Sequence, residues 1–153
     1  RKSKSGIVVK GIHDLAVRYA KCCSPVPGDE IVGFVTRGRG ITIHRTDCIN
    51  MMNLPEDEKA RLIEAEWQSD NAQETYATEL EIFTTNRVGL LVDVSKVLTD
   101  ANIDIKSLTS RVGKNEKATI TVSFDIHNKE ELSSLVSKLR KISGVIDIER
   151  AQG

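Results

Sequence analysis

The chain has 153 residues, 39% hydrophobic and 29% charged, the composition of one compact domain or two small ones rather than of a disordered or fibrous chain. Its 22 Lys and Arg balance 22 Asp and Glu, and aromatic residues at 4% are too sparse for a base-stacking platform along single-stranded nucleic acid. No apolar run approaches the ~18 residues of a membrane span. The start at Arg1-Lys2-Ser3-Lys4, without Met or a signal peptide, is that expected of a piece of a longer protein. Three cysteines, an odd number in one cluster, fit a reducing cytoplasm better than a disulfide framework.

The first half alternates short apolar runs with turns. Ile7-Val8-Val9 reads as a strand, and residues 13–21 as a helix in which Leu15 and Tyr19 share a face beside Ala16 and Ala20. Ser24-Pro25-Val26-Pro27-Gly28 is a turn. Residues 30–36 and 40–44 are strands joined by Arg37-Gly38-Arg39-Gly40 as a hairpin, so His44 falls at the end of the second strand and Cys48 at the start of a helix or turn. Between residues 61 and 67, Ile63, Ala65 and Trp67 alternate with Glu64 and Glu66, the pattern of a half-buried strand. Residues 1–68 are expected to form the first module and the aperiodic polar stretch 69–75 a linker.

From residue 76 to 153 the pattern is more regular. Residues 76–84 alternate as a strand, and Asn86 is positioned to cap a helix through Val88, Leu91, Val92, Val94 and Leu98. Asn102 ends that helix. A strand over 103–112, a turn at 114–116 and a strand over 118–126 follow. An amphipathic helix over 130–142 through Leu132, Leu135, Val136 and Leu139 is closed by Gly144, and Val145 to Glu149 is the last strand. The expected fold is α/β (α+β): a small mixed cysteine module, then a βαββαβ unit of the ferredoxin-like kind.

All three cysteines lie between positions 22 and 48. Cys22, Cys23 and Cys48 with His44 make a complete tetrahedral ligand set for zinc, and His-x-x-x-Cys is a usual half-site spacing. Adjacent cysteines in extended backbone point to opposite faces, so one metal takes both only across a kinked turn. The alternative is three thiols without a metal. Charge is uneven too. Residues 1–45 hold nine basic side chains against Asp14, Asp29 and Glu30, a pointer to a polyanionic partner for the first half.

The segment Thr85-Asn86-Arg87-Val88-Gly89-Leu90-Leu91, at the first strand–helix junction of the βαββαβ unit, resembles the ACT domain, a small-molecule regulatory module. Ala20-Lys21-Cys22-Cys23-Ser24-Pro25-Val26-Pro27-Gly28-Asp29 and Gly38-Arg39-Gly40-Ile41-Thr42-Ile43-His44-Arg45-Thr46-Asp47-Cys48 resemble the conserved-cysteine, or zinc-finger, module of the long RelA/SpoT family. In that family the module directly precedes a C-terminal ACT domain. The resemblance implies a non-catalytic regulatory end of an enzyme that makes or degrades the alarmone (p)ppGpp, with zinc as cofactor. Its implied partners are the ribosome (rRNA), the A-site tRNA and the catalytic domains of the same chain, with a homodimer formed through the ACT domain.

Some members of that family sense branched-chain amino acids. Here Asn86, Arg87, Val88, Gly89, Leu90 and Leu91, with Ile103 and Ile105 of a partner copy, would hold valine, isoleucine or leucine. The helix N-terminus attracts the carboxylate and Asn86 the ammonium. Arg37, Arg39 and Arg45, on or beside the hairpin, are the RNA-contact candidates. Asp47 is either an orienter of His44 or a turn residue.

Two other classes stay open: a thiol enzyme or redox switch using Cys22 and Cys23, with His44 as the nearest base, and an amino-acid sensor of a metabolic enzyme. The Cys/His module argues against the latter. With no Gly-rich phosphate loop ending in Lys-Ser/Thr, no Ser/His/Asp set and no paired-carboxylate motif, the fragment is expected neither to make nor to hydrolyse alarmone.

Overall fold

A computed structural model describes residues 7–9, 16–38, 40–68 and 74–151. They form two compact units that divide between Glu74 and Thr75.

In the first unit, strands β1 (Ile7–Val9), β2 (Val17–Tyr19), β3 (Ile31–Thr36), β4 (Gly40–Arg45), β5 (Leu62–Ile63) and β6 (Ala65–Trp67) accompany a short α-helix, α1 (Ile49–Met52), and a 3-10 turn at Lys59–Arg61. A four-stranded sheet has the order β2-β4-β3-β5, and β1 pairs with β6 in a separate antiparallel ribbon. The expected hairpin is present, with Thr36 opposite Gly40 and Ile31 opposite Arg45. Period-two alternation sends Ile41 and Ile43 of β4 into a core with Ile7, Val9 and Ala65. Ile63 and Trp67 pack against that core, as their alternation predicts.

The helix expected over 13–21 is not there. Residues 13–15 lie outside the described part, and Val17–Tyr19 is a strand paired in parallel with Ile41–Ile43. The 3.6-residue pattern rested on a few positions. Val17 and Tyr19, a β-branched and an aromatic residue, both turn inward from a strand, where such side chains fit best.

The second unit follows the expected order: β7 (Tyr76–Thr85), α2 (Leu90–Asp100), β8 (Ile105–Val112), β9 (Lys117–Ile126), α3 (Lys129–Arg140) and β10 (Val145–Arg150). Its antiparallel sheet has the order β10-β7-β9-β8. One face of the two central strands is fully buried, through Leu80 and Ile82 of β7 and Ile120, Val122, Phe124 and Ile126 of β9. The helices bury Leu90, Val94 and Leu98 from α2 and Leu132, Leu135 and Leu139 from α3. Each such side chain contributes about 1.5–3 kcal/mol. Asn102, in the left-handed region at φ 60, ends α2. The Asn102 N–H reaches the Thr99 carbonyl and the Ile103 N–H the Leu98 carbonyl, a Schellman closure.

Two helix-boundary expectations need correction. Asn86 does not cap α2. The cap position is Gly89, at φ 81, and no side chain bonds there. Asn86 instead donates its N–H to the Glu116 carbonyl at 2.7 Å, which ties the loop to the β8–β9 turn. Gly144 does not close α3 either. The helix ends at Arg140 with Lys141 as its cap, and Gly144 at φ 98 forms the turn into β10. A Cβ there would stand 2.9 Å from Thr85 Oγ1 and 3.3 Å from Arg87 Nε, so a side chain is strained by φ and forces those neighbours to shift.

Candidate metal centre

Three local features bring the four sequence-predicted ligands together. Beyond β2 the ladder to β4 continues through the Ala20 N–H to the Ile43 carbonyl, 2.9 Å, so the chain after Ala20 arrives beside His44. Residues 21–23 then turn. The Ser24 N–H returns to the Ala20 carbonyl at 2.9 Å, and Ser24 occupies the left-handed region at φ 46. This is the kink that two adjacent cysteines need to face one point. His44 alternates to the side of β4 opposite Ile43. A tight turn, closed by the Cys48 N–H to the Arg45 carbonyl at 3.1 Å, folds Cys48 back as the N-cap residue of α1.

The ligand atoms of Cys22, Cys23, His44 and Cys48 all lie within 4.8 Å of one another. Cys22 Sγ is 3.5 Å from His44 Nδ1 and 3.6 Å from Cys48 Sγ, and Cys23 Sγ is 3.8 Å from His44 Nδ1. A tetrahedral ion at ~2.3 Å from sulfur and ~2.05 Å from nitrogen requires S···S edges of ~3.8 Å and S···N edges of ~3.6 Å. These three of the tetrahedron's six edges agree within ~0.25 Å by that construction, and the other three lie within 4.8 Å, so the donor set is close to the arrangement a tetrahedral ion needs.

Burial shapes the chemistry of the donors. Cys23 and Cys48 are fully buried, Cys22 is half-buried, and Ala20 and Met51 pack around the cluster. Burial pushes the Cys23 thiol up to about 12, against a smaller opposing effect from the Arg45 backbone N–H that donates to Cys23 Sγ at 3.4 Å. Burial also lowers the pKa of His44, which keeps its imidazole neutral, the form a metal takes.

Arg45 organises the site. Its side chain is 4% exposed. Nε and Nη2 fork onto Asp47 Oδ1 and Oδ2 at 2.8 and 3.0 Å, while Nη1 donates to the Cys23 carbonyl at 3.0 Å. Burial alone would lower the Arg45 pKa. The hydrogen bonds and charge of Asp47, with Asp29 behind, outweigh it and hold the guanidinium cationic. The reading of Arg45 as an RNA contact is therefore corrected: this guanidinium faces inward and fixes the cysteine turn. The signal was present in the alternation Ile41, Ile43, Arg45, which puts position 45 on the buried face. Asp47 pairs with Arg45. Asp29, missed in the sequence, accepts the Val26 N–H at 2.8 Å and offers its own carbonyl to Trp67 Nε1 at 3.1 Å. Of the other two RNA candidates, Arg37 is exposed beyond β3 and Arg39 lies outside the described residues.

In the second unit Asn86, Val88, Gly89 and Leu91 are exposed around the start of α2, with Val88 98% accessible, whereas Leu90 is buried. Arg87 is already engaged, donating to the Ser143 carbonyl between α3 and β10 at 2.7 Å and pairing with Asp93 of α2 at 2.6 Å. Ile103 and Ile105 are half-buried just past the other end of α2, about 16 Å away at 1.5 Å per residue. One copy does not bring these two groups together.

Residues 7–68 match the RelA/SpoT RIS domain, and residues 72–150 the ACT domain. The chain belongs to the ACT domain family, and its two modules in succession are those of the RelA/SpoT regulatory region. Its curated relatives include a GTP pyrophosphokinase of Streptomyces coelicolor, 37% identical over 145 residues, covering 95% of this chain and 17% of that protein. Another, from Escherichia coli (strain K12), is 35% identical over 153 residues, covering 99% and 20% respectively. The chain thus spans about a fifth of the length of such relatives. Among solved structures, the ACT domain from the GTP pyrophosphokinase of Chlorobium tepidum aligns at 22% identity and a TM-score of 0.46, over 50% of this chain and 99% of that one.

Proposed function

We propose that the chain is the C-terminal regulatory region of a cytoplasmic GTP pyrophosphokinase that makes or degrades (p)ppGpp. In this reading zinc staples the first unit, which docks on ribosomal RNA and A-site tRNA, and the ACT unit passes the state of that contact to the catalytic domains of the same chain. The observation that carries it is the closed four-donor Cys/His cluster followed directly by an ACT unit. Three thiolates and a neutral imidazole in a tetrahedron suit zinc above other divalent ions. With all four positions filled by protein the ion is structural: it would cross-link β4, the cysteine turn and the start of α1. A unit of this size buries too little apolar surface to be secure alone. Arg18, Lys21 and Arg37 are exposed and available to phosphates.

The test is co-sedimentation of the 153-residue chain with ribosomes. The reading expects binding that weakens steeply with salt and disappears on chelation of the metal; ribosome-independent behaviour at low salt, with the metal bound, overturns it.

A second role for the ACT unit rests on the start of α2, where Gly89 leaves the first N–H groups without a side-chain cap beside exposed Val88 and Leu91. Paired with Ile103 and Ile105 of a second copy in a homodimer, this end would take the carboxylate and side chain of valine, isoleucine or leucine. Saturable calorimetric binding of these three, absent for glycine and lysine, supports the role. No heat up to millimolar ligand leaves the unit as a docking and dimerisation module.

A further inference from the structure

The three thiols of the cluster are not equivalent. Cys23 and Cys48 have no exposed surface, whereas Cys22 reaches solvent. Cys22 Sγ lies 3.6 Å from Cys48 Sγ, across 26 positions of chain. Its immediate neighbour Cys23 is the poorer partner for two reasons. A disulfide between adjacent residues closes a small strained ring through their shared peptide. Cys23 Sγ is also held by the Arg45 N–H while its carbonyl is held by the Arg45 guanidinium. Bringing Cys22 onto Cys48 needs the sulfurs to approach from 3.6 Å to about 2.05 Å.

We infer that Cys22 and Cys48 are a peroxide-reactive redox pair, with Cys22 the attacking thiol and Cys48 the resolving one. This replaces the Cys22–Cys23 pair as the candidate switch. The Cys22 thiolate attacks one oxygen of hydrogen peroxide, the O–O bond breaks, hydroxide leaves, and Cys22 becomes a sulfenic acid. The Cys48 thiolate then attacks that sulfur, the S–O bond breaks, and the second hydroxide leaves as the S–S bond forms. Two thiols give up two electrons and two protons in total, and one peroxide becomes two waters. The regulatory consequence rests on the zinc reading above. Oxidation removes two of the four donors and leaves Cys23 and His44, too few to retain a structural ion. A reducing thiol restores the pair by exchange, so docking by the first unit would be lost under peroxide stress and regained on reduction.

The experiment treats the reduced 153-residue chain with hydrogen peroxide, once loaded with zinc and once stripped of it. Tryptic peptides are then analysed without reduction. The pair predicts a cross-link between the peptide starting at Cys22 and that starting at Thr46, located on Cys22 rather than Cys23 by fragmentation and removed by dithiothreitol. In the loaded sample a chromophoric chelator should register about one zinc per cross-link. A Cys22–Cys23 link, or oxidation of Cys22 to sulfinic acid with Cys48 still free, overturns the pair. Failure of the metal reading looks different: the chain takes up no zinc, yet the Cys22–Cys48 link still forms in the stripped sample. Replacing the accessible thiol, as Cys22→Ser, should slow peroxide consumption at least tenfold. The stacked Tyr19–Trp67 pair reports through Trp67 emission whether that variant keeps its fold.

Discussion

Arg45→Met separates an organising role for this residue from a role in contacting RNA. The substitution keeps most of the aliphatic stem but removes the hydrogen bonds to Asp47 at 2.8 and 3.0 Å and to the Cys23 carbonyl at 3.0 Å. Asp47 is 62% exposed and returns to water at little cost. The Cys23 carbonyl is buried with this bond, and leaving it unmatched costs about 1–3 kcal/mol. Imperfect packing of the thioether adds about 1 kcal/mol, for a total of about 2–4 kcal/mol. A core of this size rarely supplies more than about 3–5 kcal/mol, so the loss is comparable to what the core alone supplies. Urea unfolding in excess zinc measures it, because Trp67 is the only tryptophan and sits in this unit. At a slope near 1 kcal/mol/M the midpoint should fall by about 2 M or more. Arg45→Lys should rescue little, since an ammonium cannot replace the fork. A loss below about 0.5 kcal/mol together with weakened RNA binding would refute the reasoning and return Arg45 to the surface role.

Four further outcomes are expected. Asn86→Ala should leave the melting of the second unit nearly unchanged, because Asn86 does not cap α2. Asn128→Ala should cost about 1 kcal/mol, since the Asn128 side chain accepts the Glu131 N–H at 2.8 Å at the start of α3; circular dichroism melts of the pair decide it. Gly144→Val, which forces a side chain against Thr85 Oγ1 at φ 98, should destabilise that unit by about 2 kcal/mol or more in the same assay. Zinc loading should release protons. Burial holds the Cys23 thiol protonated at neutral pH with its pKa pushed up to about 12, so the ion must displace that proton and apparent affinity should drop as pH falls. Titrations in two buffers of different ionisation enthalpy measure the release.

The βαββαβ unit was legible in the sequence nearly element by element, because the central strands β7 and β9 alternate cleanly and each helix carries an apolar stripe. Two of its helix boundaries, the start of α2 and the end of α3, were not. Asn86 is a good capping residue by type, but the backbone ladder to Glu116 takes it elsewhere, an interaction set by a residue thirty positions away. In the first unit the ligand quartet was legible from residue types alone. Its mode of assembly was not: Val17–Tyr19 pairs in parallel with β4, and no local pattern announces a parallel partner. Arg45 shows the opposite case, where a charge suggested the surface while its place in the alternation of β4 pointed inward. Period was the better guide there than charge.

The central claim is that Cys22, Cys23, His44 and Cys48 hold one zinc ion that secures the first unit, and elemental analysis of the chain purified without chelator tests it most directly. The account predicts about one zinc per chain, with Cys23 and Cys48 protected from thiol reagents until a chelator is added, and loss of the ion in Cys48→Ser. A chain that carries no stoichiometric metal even after incubation with zinc, with all three thiols reacting freely while Trp67 still reports a folded unit, would contradict it.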